Sequence, residues 1–147
     1  MDPTEFLDLA GEWAVGSREG EWRSSVSRAY YAVFHVARNL LRQAGFQVPM
    51  GTTCHQYLYF RLNNYGDVTV RTAADLLNRL RRARNEADYD LDTRVAEQNA
   101  IEAVDWGMDV NAALTALANN PALLAQVMQA IRDYERVTLG VVTWQGP

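Results

Sequence analysis

The sequence predicts an all-α fold, and three observations carry that reading. No segment alternates apolar and polar residues with period two, so no sheet is expected. Long stretches without proline or glycine carry apolar residues at spacings of three and four, the period of a helix face. The breaks between these stretches are short, which makes successive helices antiparallel neighbours. The expected architecture is an up-and-down bundle of four to five helices plus a C-terminal helix. The 147 residues are one domain's length. A chain of that size hides roughly 70% of its unfolded surface without disulfide or metal staples.

Taken in order, Asp2 and Pro3 open a first short helix, with Asp2 as cap and Pro3 in the first turn. Phe6, Leu9 and Trp13 share one face of it, and it ends near Gly16. A second helix spans about residues 21 to 44. Val26, Tyr30, Val33, Ala37, Leu40 and Leu41 form its inner stripe, and Arg28, His35 and Arg42 its opposite one. Gly45, Pro49 and Gly51 break the chain. Thr52 or Thr53 caps a third helix to about residue 63, with Tyr57, Leu58 and Phe60 as its apolar members. Residues 63 to 67 read as a turn. A fourth helix runs from about 71 to 89, with Ala73, Leu76, Leu77, Leu80 and Ala87 inside. Asp92 or Thr93 caps a fifth, from 95 to about 117. Asn119-Asn120-Pro121 is a clean break, and Pro121 begins a sixth helix to about residue 136. Residues 140 to 147 are assigned no regular structure. Residues 1 to 118 form the bundle, and 119 to 147 a C-terminal helix and tail packed on it or extending it.

Composition narrows the function classes. One cysteine, Cys54, allows no internal disulfide and fits a reducing compartment. The acidic opening Met1-Asp2-Pro3-Thr4-Glu5 is unlike a secretory signal, and no apolar run approaches the ~18 residues of a membrane span. A cytoplasmic protein with no membrane partner is expected. Two histidines and one cysteine cannot close a structural zinc site, and the scattered glycines make no phosphate loop, so neither metal nor cofactor is expected. Net charge is −4, yet all fourteen basic residues are arginine, and four of them fall between Arg79 and Arg84. Guanidinium forks suit phosphate oxygens. The same run also reads as a solvated helix face, with Arg84 and Asp88 forming an ordinary i,i+4 ion pair.

Two stretches remain with chemistry to offer. One is Ser25-Val26-Ser27-Arg28-Ala29-Tyr30-Tyr31-Ala32-Val33-Phe34-His35. The other, about fifty residues later, is Arg84-Asn85-Glu86-Ala87-Asp88-Tyr89. A helix reading Arg-Ala-Tyr-Tyr-Ala-x-Phe followed by Arg-Asn-x-Ala-Asp-Tyr resembles the HEPN family. More narrowly, it resembles the small stand-alone prokaryotic HEPN proteins often encoded beside a minimal nucleotidyltransferase. The resemblance covers about residues 1 to 118. It implies a helical bundle that dimerises, and in the catalytic branch a metal-independent ribonuclease. There an arginine holds the scissile phosphate, and a histidine that follows after four to six intervening residues transfers protons. In related modules the nucleotidyltransferase modifies a tyrosine near this motif.

The sequence keeps half of that catalytic pattern. Arg84-Asn85 matches its start, but Tyr89 stands where the first histidine position falls, and no histidine follows Arg84. Tyrosine, with a reference pKa of about 10, is a poor general base at neutral pH. Arg84, Asn85 and Tyr89 are the candidate catalytic residues. Arg28, Arg81, Arg84 and Asp88 are the candidate RNA- or nucleotide-binding residues. The expected role is a HEPN component of a two-gene toxin–antitoxin or defence module. It would be a homodimer, binding RNA or nucleotide at a cleft near Arg84, with a nucleotidyltransferase partner. Two other readings stay open: an active ribonuclease in which His35 or His55 replaces the missing histidine, and a dimerisation scaffold without a nucleotide site.

Overall fold

A computed structural model describes residues 1–64 and 66–146; Tyr65, in the expected turn, and Pro147, at the end of the tail, lie outside the described residues. Among the described residues the fold is all-α, as expected. Among the described residues there are six α-helices: α1 (Glu5–Ala14), α2 (Glu19–Gln43), α3 (Thr53–Leu62), α4 (Val68–Tyr89), α5 (Glu97–Ala118) and α6 (Pro121–Tyr134). A π-helical turn, Glu135–Leu139, follows α6 and stops at Gly140, whose φ of 65° is the left-handed conformation that glycine adopts without strain. The chain divides into two compact units. The first comprises Met1–His35 and Leu76–Asn111, and the second Val36–Asp75 with the chain from Ala112 onward.

In the first unit the inner stripe of α2 is as the spacing predicts, with Val26, Tyr30 and Val33 buried. On α5, Ala100, Ala103 and Val110 recur at heptad spacing and are all buried. Gly107 sits in the same stripe, where a Cβ would meet Leu7 Cδ2 at 2.8 Å and make that side chain shift. Three expectations change. Helix α1 buries Ala10 and Ala14, not the Phe6-Leu9-Trp13 face, and Leu9 is exposed. Ala10 faces α2, where the Ser25 hydroxyl donates to its carbonyl at 2.7 Å, and Leu7 lies against Gly107 of α5. Asp2 does act at the start of α1, but by holding the Thr4 N–H and hydroxyl at 2.9 and 2.8 Å in a preceding turn. Asp92 and Thr93 do not cap α5. Both backbone N–H groups donate to Asp90 instead, and the side chain of Asn99 takes the Ala96 N–H at the head of α5.

In the second unit Leu41, Leu58, Leu62, Leu114, Leu117 and Ile131 are buried. Of the apolar members of α3, Tyr57 and Leu58 are buried and Phe60 is exposed, and Arg61 takes the buried position beside it. Helix α4 begins three residues before the expected start because Asp67 accepts the Val70 N–H. The side chain of Asn120 accepts the Leu123 N–H and Pro121 opens α6, as the break predicts. The tail is more ordered than expected. Phe46 and Trp144 form an isolated antiparallel bridge, flanked by Gln47 N–H to Thr143 O and Gln145 N–H to Gly45 O, both 2.8 Å. Its anchor is polar and buried. Arg61 Nε and Nη2 donate to Glu135 Oε2 at 2.9 and 2.8 Å, and the Thr143 hydroxyl donates to the same carboxylate oxygen at 2.6 Å. Tyr57 Oη lies 2.5 Å from Thr143 Oγ1, and burial pushes its phenol pKa up.

Candidate anion-binding site

Helix α4 carries a buried stripe at spacings of four, three, four and three: Ala73, Leu77, Leu80, Arg84 and Ala87. An arginine therefore occupies a core position, and Arg84 is 6% exposed. Its guanidinium carbon lies 5.3 Å from the ring centres of both Tyr30 and Tyr31, and 5.8 Å from that of Tyr89. Its Nε is buried and meets no hydrogen-bond acceptor. Such an orphaned donor costs about 1–3 kcal/mol, and aromatic faces offset it by about 0.5–2 kcal/mol each without accepting its N–H bonds. The i,i+4 pair of Arg84 with Asp88, the alternative reading of this run, does not form. Asp88 Oδ2 accepts from the Ser27 hydroxyl of α2 at 3.1 Å, and among the described residues Arg84 has no carboxylate partner.

Tyr89 is the last residue of α4. It lies about 140° past a whole turn from Arg84, so the two would diverge on a continuing helix. The helix ends there, and the ring returns over the guanidinium while the residue stays 77% exposed. That end is fixed by a residue the sequence reading missed. Arg23 of α2 donates through Nη1 to the carbonyls of Ala87 and Asp90, each at 2.9 Å, and through Nη2 to that of Thr93. These carbonyls have no partner within the helix, and a cation there also opposes the negative end of the helix dipole. Glu19 holds Arg23 at 2.8 Å and takes the Val95 N–H at 3.0 Å. The Val95 bond, then Arg23, keeps the Glu19 carboxyl below its usual range, and bonds from Thr93 do the same for Asp90.

Tyr31 joins this site to a second feature. Arg28 lies 5.4 Å from the Tyr31 ring centre and 5.1 Å from that of Phe6. With Phe6, Trp13, Ser27 and Asp88 these residues line a cleft of about 460 Å³. The outward face of α1 thus forms one wall of it. The arrangement brings together four of the candidate residues, Arg84, Tyr89, Arg28 and Asp88. It does not gather the others. Asn85 is exposed, and Arg81 bonds its own helix through Asn78 at 3.2 and 3.3 Å. The arginines from 79 to 84 are not one patch, since Arg79 stacks toward Trp106 and Arg84 is buried. His35 stacks on Phe6 at 6.1 Å, and His55 belongs to the second unit. Cys54 is buried, and desolvation raises its thiol pKa, which suits packing and not nucleophilic attack.

An arginine in the core of a helix, faced by the adjacent tyrosines of a neighbouring helix, is the setting for the family comparison. A family model for the HEPN domain matches residues 15–107, more than half of the chain. The chain belongs to the HEPN domain family. That HEPN membership supports a module of the nuclease or toxin class. The chain is also 33% identical over 76 residues to trans-aconitate 2-methyltransferase of Klebsiella pneumoniae (strain 342). The shared stretch is 52% of this chain and spans only 29% of the length of that curated relative. No solved structure matches the chain. Among the described residues no helix is long and apolar enough to cross a membrane.

Proposed function

We propose that this HEPN protein binds the phosphate of RNA or of a nucleotide at Arg84, as one component of a two-gene toxin–antitoxin or defence module. The observation that carries the reading is the buried guanidinium whose Nε has no acceptor among the described residues. A core arginine kept without a carboxylate is an anion site waiting for its anion. Phosphate oxygens accept charge-assisted hydrogen bonds that tyrosine faces cannot replace. Arg28, against the same Tyr31 ring, is a second cationic group for the bound nucleotide. Binding is weak and electrostatic, and its salt slope is shallow, because a chain of net charge −4 makes few phosphate contacts.

Cleavage is absent or feeble in this reading. A missing general acid–base group costs about 10²–10⁴ in rate, and Tyr89 is an inferior substitute for histidine. A twofold partner brings two Arg84 sites into one cleft, and a nucleotidyltransferase is the second gene product, with Tyr89 its acceptor. The test incubates labelled RNA, with a chelator present, with wild type and with Arg84→Ala. Binding without cleavage by wild type, lost in Arg84→Ala, is expected. Robust chelator-resistant cleavage that the substitution abolishes would replace this reading with that of an active ribonuclease. Equal binding by both proteins would remove Arg84 from the site. Light scattering tests the dimer: a monomer mass at micromolar concentration rejects it.

A further inference from the structure

We infer that the cleft formed by Phe6, Trp13, Ser27, Arg28, Tyr31 and Asp88 is a base-reading pocket for guanine. The inference rests on Arg84 as an RNA phosphate site and adds to it a preference for one nucleotide. The volume, about 460 Å³, lies within the ~300–1,000 Å³ range of small-ligand clefts. Trp13 supplies a stacking face, the usual means of holding an unpaired base, and Phe6 and Tyr31, already faced by Arg28, line the cleft beside it.

The polar groups supply the choice among bases. Ser27 donates to Asp88 Oδ2 at 3.1 Å, which fixes the carboxylate and leaves Oδ1 without a protein donor among the described residues. A carboxylate only accepts hydrogen bonds. Guanine is the base whose pairing edge offers two adjacent donors, N1–H and the N2 amino group. Adenine and cytosine set a ring-nitrogen acceptor beside their amino group, and uracil flanks its single N–H with two carbonyls, so each places a lone pair against the carboxylate. Arg28 completes the match. Its guanidinium is held by the Phe6 and Tyr31 faces, which take none of its N–H bonds. It can serve guanine O6, which arginine reads well.

The experiment measures anisotropy with labelled uridine octamers carrying one guanosine, inosine, adenosine or cytidine, using wild type, Asp88→Ala and Arg84→Ala. Asp88 is exposed, so its removal leaves the fold intact. Wild type is expected to bind the guanosine octamer about tenfold more tightly than the inosine one, which lacks only the N2 amino group. That ratio is what one hydrogen bond to a charged group supports. Asp88→Ala should erase the preference and keep the weaker binding common to all four octamers. Equal affinity of wild type for all four, still lost in Arg84→Ala, would overturn the pocket while leaving the phosphate site standing. If no octamer binds, guanosine and adenosine monophosphates are titrated against tryptophan fluorescence. Quenching by the guanosine nucleotide alone, absent in Trp13→Phe, would keep the pocket and reject the RNA reading. No quenching by either would reject both.

Discussion

Among the described residues two arginines are buried, and they are buried differently. Arg61 is 7% exposed and Arg84 6%. Each guanidinium lies against tyrosine, Arg61 at 3.6 Å from the Tyr57 ring centre and Arg84 at 5.3 Å from two others. The difference is the counter-charge. Arg61 binds Glu135 through two nitrogens, and that carboxylate is further satisfied by the Thr143 hydroxyl and N–H. Among the described residues Arg84 has neither a carboxylate nor a carbonyl partner, and its Nε is unsatisfied. Depth of burial alone therefore does not separate a structural arginine from a functional one. The state of its hydrogen bonds does, because an unpaired buried donor is a standing cost that a ligand can relieve.

The largest effect that can break this comparison lies at Arg61. Arg61→Ala leaves the Glu135 carboxylate buried without its partner, and such a break costs about 3–5 kcal/mol. Chemical denaturation should register that loss, together with release of the tail that Thr143 ties to Glu135. RNA affinity per folded molecule should not move. A loss below about 1 kcal/mol would mean that the pair contributes nothing and that the two arginines are alike.

Arg84→Met is the complementary change. It removes an orphaned donor and keeps most of the apolar volume, so stability should stay within about 1 kcal/mol of wild type or rise. RNA affinity should fall at least tenfold, and the slope of log affinity against log salt should drop by about one. If Arg84→Met instead unfolds the domain as Arg61→Ala does, Arg84 is a structural residue and the contrast collapses.

The sequence made these two residues unequally legible. Arg84 belongs to a short local pattern, Arg-Asn-x-Ala-Asp-Tyr, although the inner positions expected for its helix, Ala73, Leu76, Leu77, Leu80 and Ala87, pass over it. What counting could not give was its surroundings. The tyrosines come from α2, and the i,i+4 neighbour Asp88 turns to Ser27 instead. Arg61 and Glu135 are 74 residues apart, and nothing local marks them as partners. The Arg23 clamp fails to show for the same reason, since its acceptors lie 64 to 70 residues away. Helix existence was readable throughout because periodicity is local. Caps shifted where side chains such as Asp67 and Asn99 competed for the same backbone groups.

A smaller effect sharpens the comparison by testing how Tyr89 is held over Arg84. Arg23→Ala removes the donors to the Ala87, Asp90 and Thr93 carbonyls. It should cost about 1–2 kcal/mol, since water replaces part of what is lost, and should speed amide exchange over residues 88–95. Acid should loosen the same loop. Glu19 and Asp90 have lowered carboxyl pKa values in the folded protein. Their contribution is therefore complete above the ordinary carboxylate range of about 4 and is lost as pH falls through the lowered values. Exchange at 88–95 should rise below about pH 4 in wild type, and much less additionally in Arg23→Ala. Unchanged exchange in both would show that the loop holds itself.

The smallest effect is expected at the Tyr89 hydroxyl, and it separates the two roles of that residue. Tyr89→Phe keeps the ring that faces Arg84 at 5.8 Å and removes an oxygen that bonds to no described residue. Fold and RNA affinity should hold within about twofold, since a hydroxyl in water contributes little. Tyr89→Ala removes the ring as well and should weaken RNA binding by a few fold, the worth of one exposed cation–π contact at about 0.5–1 kcal/mol. Modification answers to the oxygen alone. In the proposed module, incubation with the nucleotidyltransferase and a nucleoside triphosphate should raise the intact mass of wild type and leave Tyr89→Phe unchanged. An equal mass gain in both proteins would place the acceptor elsewhere. Tyr89→His asks the remaining question: if it acquires RNA cleavage that Arg84→Ala then abolishes, one side chain is all that divides this HEPN site from a working ribonuclease.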